Sequence, residues 1–165
     1  MAEHNRLVAI IFMLVACISS AVASETVNFQ HLSLNSMFPQ ITINGLYQDE
    51  SGVLWIGTKD GVKKYNGNYI ESVNFMGINN WIQSNLVPTI CGDKKGHLYV
   101  NTDYSIIEYD LIKEESRIIF SQPNTQILPS IAFNYGINSL WIGLLDSVYN
   151  YKEGICQAKY KIDSN

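Results

Sequence analysis

The chain has 165 residues, 16% of them charged and 12% aromatic, with 10 tyrosines and a formal net charge of −4. This is the length of one ordinary domain, and a mix rich in aromatics and poor in charge favours β structure over helix. Lysine and arginine never cluster beyond a pair, Lys63-Lys64 and Lys94-Lys95, so the basic footprint that a nucleic-acid partner needs is missing.

The first residues read as an export signal and are set apart from the fold. Arg6 gives a short positive start, and Leu7 to Ile18 is an almost unbroken apolar run. Ala21-Val22-Ala23 then matches the small-x-small pattern that signal peptidase accepts, which predicts a signal peptide over residues 1–24 with cleavage near Ala23. The apolar run is shorter than the ~20 residues a spanning helix wants, although Leu7 to Ala23 would just serve as an uncleaved anchor. A second processing route stays open. Leu14-Val15-Ala16-Cys17 resembles a bacterial lipobox, in which Cys17 would carry lipid; otherwise Cys17 is a small apolar residue of the run. Either route takes the mature chain out of the cytoplasm.

Beyond the signal, self-similarity organises the chain. Asp49-Glu50-Ser51-Gly52-Val53-Leu54-Trp55-Ile56-Gly57-Thr58 recurs as Asp93-Lys94-Lys95-Gly96-His97-Leu98-Tyr99-Val100-Asn101-Thr102, and in degraded form as Tyr135 to Leu144. The aromatic anchor moves from Trp55 to Tyr99 to Trp141, and a second marker from Tyr65 to Tyr109 to Tyr151. Both series step by 44 and then 42 residues.

Each unit reads as four short strands separated by turn residues. The first predicts strands at Ile41–Gln48, Val53–Lys59, Val62–Tyr65 and Tyr69–Phe75, with a turn at Asp49 to Gly52 and Asp60-Gly61 as the two-residue loop of a type I′ hairpin. The second predicts Val87–Gly92, His97–Thr102, Ile106–Asp110 and Ser116–Ser121. The third predicts Leu128–Asn134, Leu140–Leu144, Val148–Tyr151 and Ile155–Lys161. Four strands repeated about every 43 residues suit a β-propeller blade. The expected fold is therefore all-β: a partial propeller of about three four-stranded blades, over residues 25–75, 76–121 and 122–165.

Propellers close with roughly 4–8 blades, and closure removes open sheet edges. Three blades alone leave two faces unburied, so residues 25–165 by themselves are expected to express poorly or self-associate. The repeat places Cys91 on an innermost strand and Cys156 on an outermost one, beyond the ~7 Å that a disulfide tolerates, and so predicts two free thiols.

The first unit also carries a family resemblance. Phe29-Gln30-His31-Leu32-Ser33 and then Ile43 to Gly67, with Leu54-Trp55-Ile56-Gly57-Thr58 at its centre, resemble the opening of a two-component regulator propeller. The resemblance covers roughly residues 29 to 154. The second unit departs by Tyr99 for Trp, Asn101 for Gly and Tyr104-Ser105 for the Asp-Gly turn, and the third lacks the Asp-x-x-Gly turn. The resemblance implies the periplasmic sensor part of a hybrid two-component histidine kinase of the kind common in gut Bacteroidetes, responding to oligosaccharides. It implies as partners the remaining propeller blades, a β-sandwich domain, a membrane helix and a kinase in the same parent chain. No phosphoacceptor His box or nucleotide-binding Gly-rich segment is present, and His4, His31 and His97 are scattered, so the chain reads as the amino-terminal piece of such a sensor.

Trp55, Tyr99 and Trp141 share one repeat position and are expected in the inter-blade core. Asp49, Asp93, Gly52 and Gly96 read as turn formers rather than metal ligands. Trp81 falls outside the anchor series, on a link expected to share a face with Asp60 and Tyr104; there it would stack on a sugar ring or plug the blade. No catalytic constellation is legible. Carboxylates are not paired for glycoside hydrolysis, and neither Gly-x-Ser-x-Gly nor His-x-x-x-His occurs, so the sequence predicts no enzyme, no metal site and no cofactor. The rival reading is an exported or lipid-anchored propeller-type binding protein with no part in signalling.

Overall fold

The computed structural model describes residues 1, 4–6, 42–75, 85–121 and 129–161. The chain divides into two units, Met1–Ser33 and Leu34–Asn165. The described part of the first is Met1 and one helical turn at residues 4–6. The export signal, the lipobox at Cys17 and Trp81 lie outside the described residues.

The second unit holds three antiparallel sheets of four strands, each sheet running in sequence order across its width. They are β1 (Ile43–Gln48), β2 (Leu54–Thr58), β3 (Gly61–Tyr65) and β4 (Ile70–Val73); β5 (Thr89–Gly92), β6 (His97–Asn101), β7 (Ser105–Asp110) and β8 (Glu115–Ser121); and β9 (Ser130–Asn134), β10 (Ser139–Gly143), β11 (Ser147–Lys152) and β12 (Ile155–Lys161). The first strand of each sheet lies beside the first strand of the next, β1 against β5 and β5 against β9. Sequential meanders joined along their first strands are blades of a propeller, and these are three of them.

Strand alternation divides the core in two. Leu98 and Val100 face the first sheet and pack with Trp55, Val62, Ile90, Ile107 and Tyr109. Between them in the chain, Tyr99 points the other way and packs with Ile106, Ile131, Leu140, Ile142 and Tyr151 of the second cluster. Each such buried side chain stabilises the fold by roughly 1.5–3 kcal/mol. Close approach of the sheets depends on glycine at two points. A Cβ on Gly57 would stand 2.9 Å from the Val87 side chain, and one on Gly92 would run into the ring of Tyr47.

The turn after each first strand is built by one side chain. Asp49 Oδ1 accepts from the backbone N–H groups of Ser51 and Val53 at 2.9 and 3.0 Å, while Oδ2 accepts from Trp55 Nε1 at 2.8 Å. Asp93 does the same for Lys95 and His97, at 2.7 and 3.0 Å. In the third unit the sequence alignment sets Tyr135 at this place, but the structure puts Asn134 there, with Oδ1 accepting from Gly136 and Ile137. One extra loop residue shifts the register, so the turn former precedes the position the repeat predicts.

The β2–β3 hairpin corrects another expectation. Its loop is Lys59-Asp60, and Gly61 pairs with Thr58 instead of sitting inside the turn. Gly61 has φ 90°, while Lys59 and Asp60 are absent from the positive-φ residues that a type I′ turn would require at both central places. The Thr58 hydroxyl decides this geometry: Oγ1 accepts from Asp60 N–H at 3.0 Å and donates to the Gly61 carbonyl at 2.7 Å. Thr102 repeats the device in the second blade, accepting from Ser105 N–H and donating to the Ser105 carbonyl.

Cys91 and Cys156 are both free thiols at the margin of the second cluster. Burial pushes the Cys91 thiol up to about 12.

Candidate functional site

A cleft of about 270 Å³ opens between the second and third sheets, lined by Asp93, His97, Tyr99, Glu108, Arg117 and Tyr151 among others. It lies at the strand ends that carry the β5–β6, β9–β10 and β11–β12 turns. A neighbouring cleft of about 240 Å³ shares His97, Glu108 and Arg117.

Register brings these groups together. Glu108 on β7 stands opposite Arg117 on β8, and Tyr99 on β6 stands opposite Glu108. The same cross-strand site holds Lys64 and Glu71 in the first sheet and Asn150 and Gln157 in the third. Glu108 is buried and accepts from three donors: Arg117 Nε, Tyr99 Oη at 3.3 Å and Tyr151 Oη at 3.2 Å. Arg117 Nη2 also donates to Tyr151 Oη at 2.7 Å, which ties the two sheets through one network. The Glu108 side chain is 8% exposed and the Arg117 side chain 62%, so a solute entering the cleft meets the guanidinium first.

Electrostatics hold the phenols neutral. Burial, with the Glu108 charge beside it, pushes Tyr151 up to about 12 and Tyr99 well above the ordinary tyrosine value. The hydrogen bond that Arg117 donates to Glu108 raises Arg117 further, against some desolvation. Across the cleft, Asp93 Oδ2 lies 2.8 Å from His97 Nδ1, and the Tyr99 and Phe133 rings stack at 5.7 Å and 12°. The arrangement offers hydrogen bonding against aromatic walls, suited to holding a polar solute. Among the described residues no group of three or more His, Cys, Asp or Glu side chains is placed to hold a metal.

The anchors predicted from sequence separate in burial. Trp55 is 5% and Tyr99 5% exposed, and both sit in the core. Trp141 is half-buried and stands outside both clusters. Of the markers, Tyr109 and Tyr151 are buried, whereas Tyr65 is half-buried and donates to the Gly67 carbonyl at 2.8 Å. Asp60 and Tyr104 occupy equivalent β2–β3 and β6–β7 turns, at the end of the strands opposite to both clefts. Asp60 is exposed and Tyr104 half-buried, and neither lines either cleft. The Glu108–Arg117 pair was missed in the sequence, although its signal is present: a nine-residue spacing across a hairpin, at a position that is polar in every unit.

Residues 37–60 match the family model described as Two component regulator propeller. Asp49, Trp55 and Thr58, the residues that set the turn, the anchor and the hairpin lock of the first blade, all fall inside the matched stretch. No curated protein matches the chain. Among solved structures, the extracellular domain described for a one component system from B. thetaiotaomicron is similar at 16% identity and TM-score 0.61, over 85% of this chain and 18% of that one. The extracellular domain described for a hybrid two component system from the same organism is similar at 15% identity and TM-score 0.57, over 72% and 18%. Virginiamycin B lyase from Staphylococcus aureus is similar at 14% identity and TM-score 0.57, over 74% and 42%. At such identities the likeness is one of fold, shared by extracellular domains described for one- and two-component systems and by a lyase. The chain spans 18% of the first structure's length.

Proposed function

We propose that this chain is the ligand-sensing, periplasmic propeller portion of a hybrid two-component sensor histidine kinase, at the amino-terminal end of a longer parent protein. The observation that carries the reading is the match of residues 37–60 to the regulator propeller repeat. The fold shared with extracellular domains of one- and two-component systems supports it. The ligand class is an oligosaccharide, and the recognition face is the one expected around Trp81, Tyr104 and Asp60. Aromatic and amide groups beside carboxylates suit stacking and hydrogen bonding to a sugar. The stretch supplies recognition; phosphoryl transfer belongs to the parent's kinase. Its partners are the remaining blades and sensor domains of that parent.

The test is to read the genomic frame beyond the codon for Asn165. Further Trp-Ile-Gly-Thr repeats followed by a membrane helix and a kinase are expected. An immediate stop codon in an intact locus would sink the sensor reading for this product. A second reading rests on Leu14-Val15-Ala16-Cys17: an exported binding protein held by lipid at Cys17. Metabolic labelling with a fatty-acid probe separates the two, because the sensor reading expects none on Cys17.

A further inference from the structure

The cleft between the second and third sheets lies where the middle blade departs from the first. Between the first two sheets the anchor is Trp55, whose indole packs on Tyr109 and whose Nε1 donates to Asp49 Oδ2 at 2.8 Å. One blade later the anchor is Tyr99. Its smaller ring sends Oη to Glu108 at 3.3 Å, and Asp93 Oδ2 takes His97 Nδ1 at 2.8 Å instead of an indole. The cross-strand pair beside the anchor is also reversed. Lys64 on β3 faces Glu71 on β4, whereas Glu108 sits on β7 and Arg117 on β8. In the first sheet the two charged side chains are about equally exposed; in the second the acid is buried and the guanidinium stands outward.

The hydrogen-bonding capacity left open in the cleft belongs to a donor. Asp93 accepts from Lys95 N–H, His97 N–H and His97 Nδ1, and Glu108 accepts from Arg117, Tyr99 and Tyr151. Each carboxylate thus already holds three donors. Arg117 engages Glu108 through Nε and Tyr151 through Nη2, and its Nη1 makes no hydrogen bond among the described residues. A guanidinium stays charged, and its N–H groups suit a carboxylate oxygen. Lys152 is exposed and lines the same cleft. Asp93, Glu108 and Glu153 line it too, so a multiply charged anion such as phosphate would be repelled where a single negative charge is balanced. The Tyr99 and Phe133 rings supply an apolar wall. A volume of about 270 Å³ lies just below the range of pockets that hold drug-sized molecules, which suits a body of one ring.

We propose that this cleft binds a small carboxylic acid bearing one apolar ring, with its carboxylate on Arg117 Nη1 and its ring against the Tyr99–Phe133 wall. The site lies at the end of the strands opposite to Asp60 and Tyr104. It stands whether or not that other end binds a glycan.

The experiment is surface plasmon resonance on the full chain, captured at its carboxyl terminus, with benzoate as the probe and benzyl alcohol as its neutral match. Benzoate should saturate one site with a dissociation constant on the order of 10⁻⁴–10⁻³ M, and benzyl alcohol should bind at least about 10-fold more weakly. Arg117→Lys keeps a cation beside Glu108 but gives up the planar fork, and should weaken benzoate by about 10-fold or more. Phe133→Leu keeps apolar bulk without the ring and should weaken it by about 3–10-fold. Lys113→Met, which lines only the neighbouring cleft, should bind as wild type does. The proposal is overturned by no saturable binding up to about 20 mM, well above the weakest constant expected. Benzyl alcohol binding as tightly as benzoate overturns it, as does affinity unchanged in both Arg117→Lys and Phe133→Leu. A loss in Lys113→Met equal to that in Arg117→Lys would put the acid in the other cleft and overturn it too. None of these outcomes touches the sensing reading, whose own test is the frame beyond Asn165.

Discussion

The indole of Trp55 meets the phenol ring of Tyr109 edge-on, with centroids 6.0 Å apart and planes at 63°, although the first belongs to β2 and the second to β7 of the next sheet. Tyr99 and Tyr151 repeat the relation one blade later, at 6.3 Å and 72°. The anchor of each blade therefore packs on the marker tyrosine of its successor. The two periodic series visible in the sequence are the two halves of one contact. Trp141 continues the anchor series but lies outside the described core clusters, and Tyr65 begins the marker series in the same condition.

Truncating an anchor should thus cost according to whether its successor is present. Trp55→Ala removes a core ring and leaves a cavity, which destabilises by about 3–5 kcal/mol. Trp141→Ala, on a half-buried ring, is expected to cost about 1 kcal/mol. Urea denaturation of the two variants beside wild type measures both. Equal losses would mean that Trp141 is as well packed as Trp55, and that the blade order is not what distinguishes them.

Asp49 gives the fold an acid limit. Burial by itself would raise its carboxyl, but hydrogen bonds from Ser51, Trp55 and Val53 outweigh that and hold it below the ordinary 3.8. The folded value lies below the unfolded one, so the contribution is complete above about pH 4 and is lost as pH falls through the folded value. Asp49→Asn keeps an acceptor for the turn and should cost about 1–2 kcal/mol at neutral pH while flattening the stability slope in acid. Stability measured from pH 5 to pH 2 tests this; an unchanged slope would assign the acid sensitivity to another carboxylate.

Strand existence was legible because period and turn chemistry agreed: all twelve predicted strands form, with ends displaced by at most two residues. Turn geometry was less so. Asp60-Gly61 carries the dipeptide of a type I′ loop, but a threonine hydroxyl two positions earlier selects a different closure, and hydroxyl direction is not visible in a dipeptide. Asn134 was missed because one inserted residue displaces it from the period. The Glu108–Arg117 cleft was missed for another reason. The donors to Glu108, namely Tyr99, Arg117 and Tyr151, come from three strands of two sheets, and only the inter-blade packing brings Tyr151 to that carboxylate.

Thr58 and Thr102 make a matched pair whose third member, by register, is Leu144. There Leu144 N–H still bonds the Ser147 carbonyl at 2.8 Å, but no hydroxyl reinforces the turn. Leu144→Thr should therefore stabilise the β10–β11 hairpin by about 0.5–1.5 kcal/mol, and Thr102→Val should destabilise its counterpart by about 1–3 kcal/mol through two orphaned groups. Hydrogen exchange at Ser105 and Ser147 reads each turn separately. Slower exchange at Ser105 in Thr102→Val would contradict the assignment of the hydroxyl as the lock.

Alkali should unfold the chain through its second core cluster. Tyr151 and Cys91 are each pushed up to about 12, chiefly by burial, and Tyr99 is raised by burial and then by the Glu108 charge. Each folded value lies above its ordinary value, 10.0 for tyrosine and 9.0 for cysteine. The unfolded chain loses these protons first, so the stabilisation is complete below about pH 9 and is lost as pH rises toward 12. Tyr151→Phe removes one titration and one donor to Glu108: it should cost about 1–3 kcal/mol at pH 7 and reduce the loss between pH 9 and pH 12. In the native chain at neutral pH, Cys91 should resist iodoacetamide and then react at the rate of unfolding. Rapid alkylation of folded protein would show that the thiol is accessible and ionised, and the burial on which the whole alkaline transition rests would be wrong.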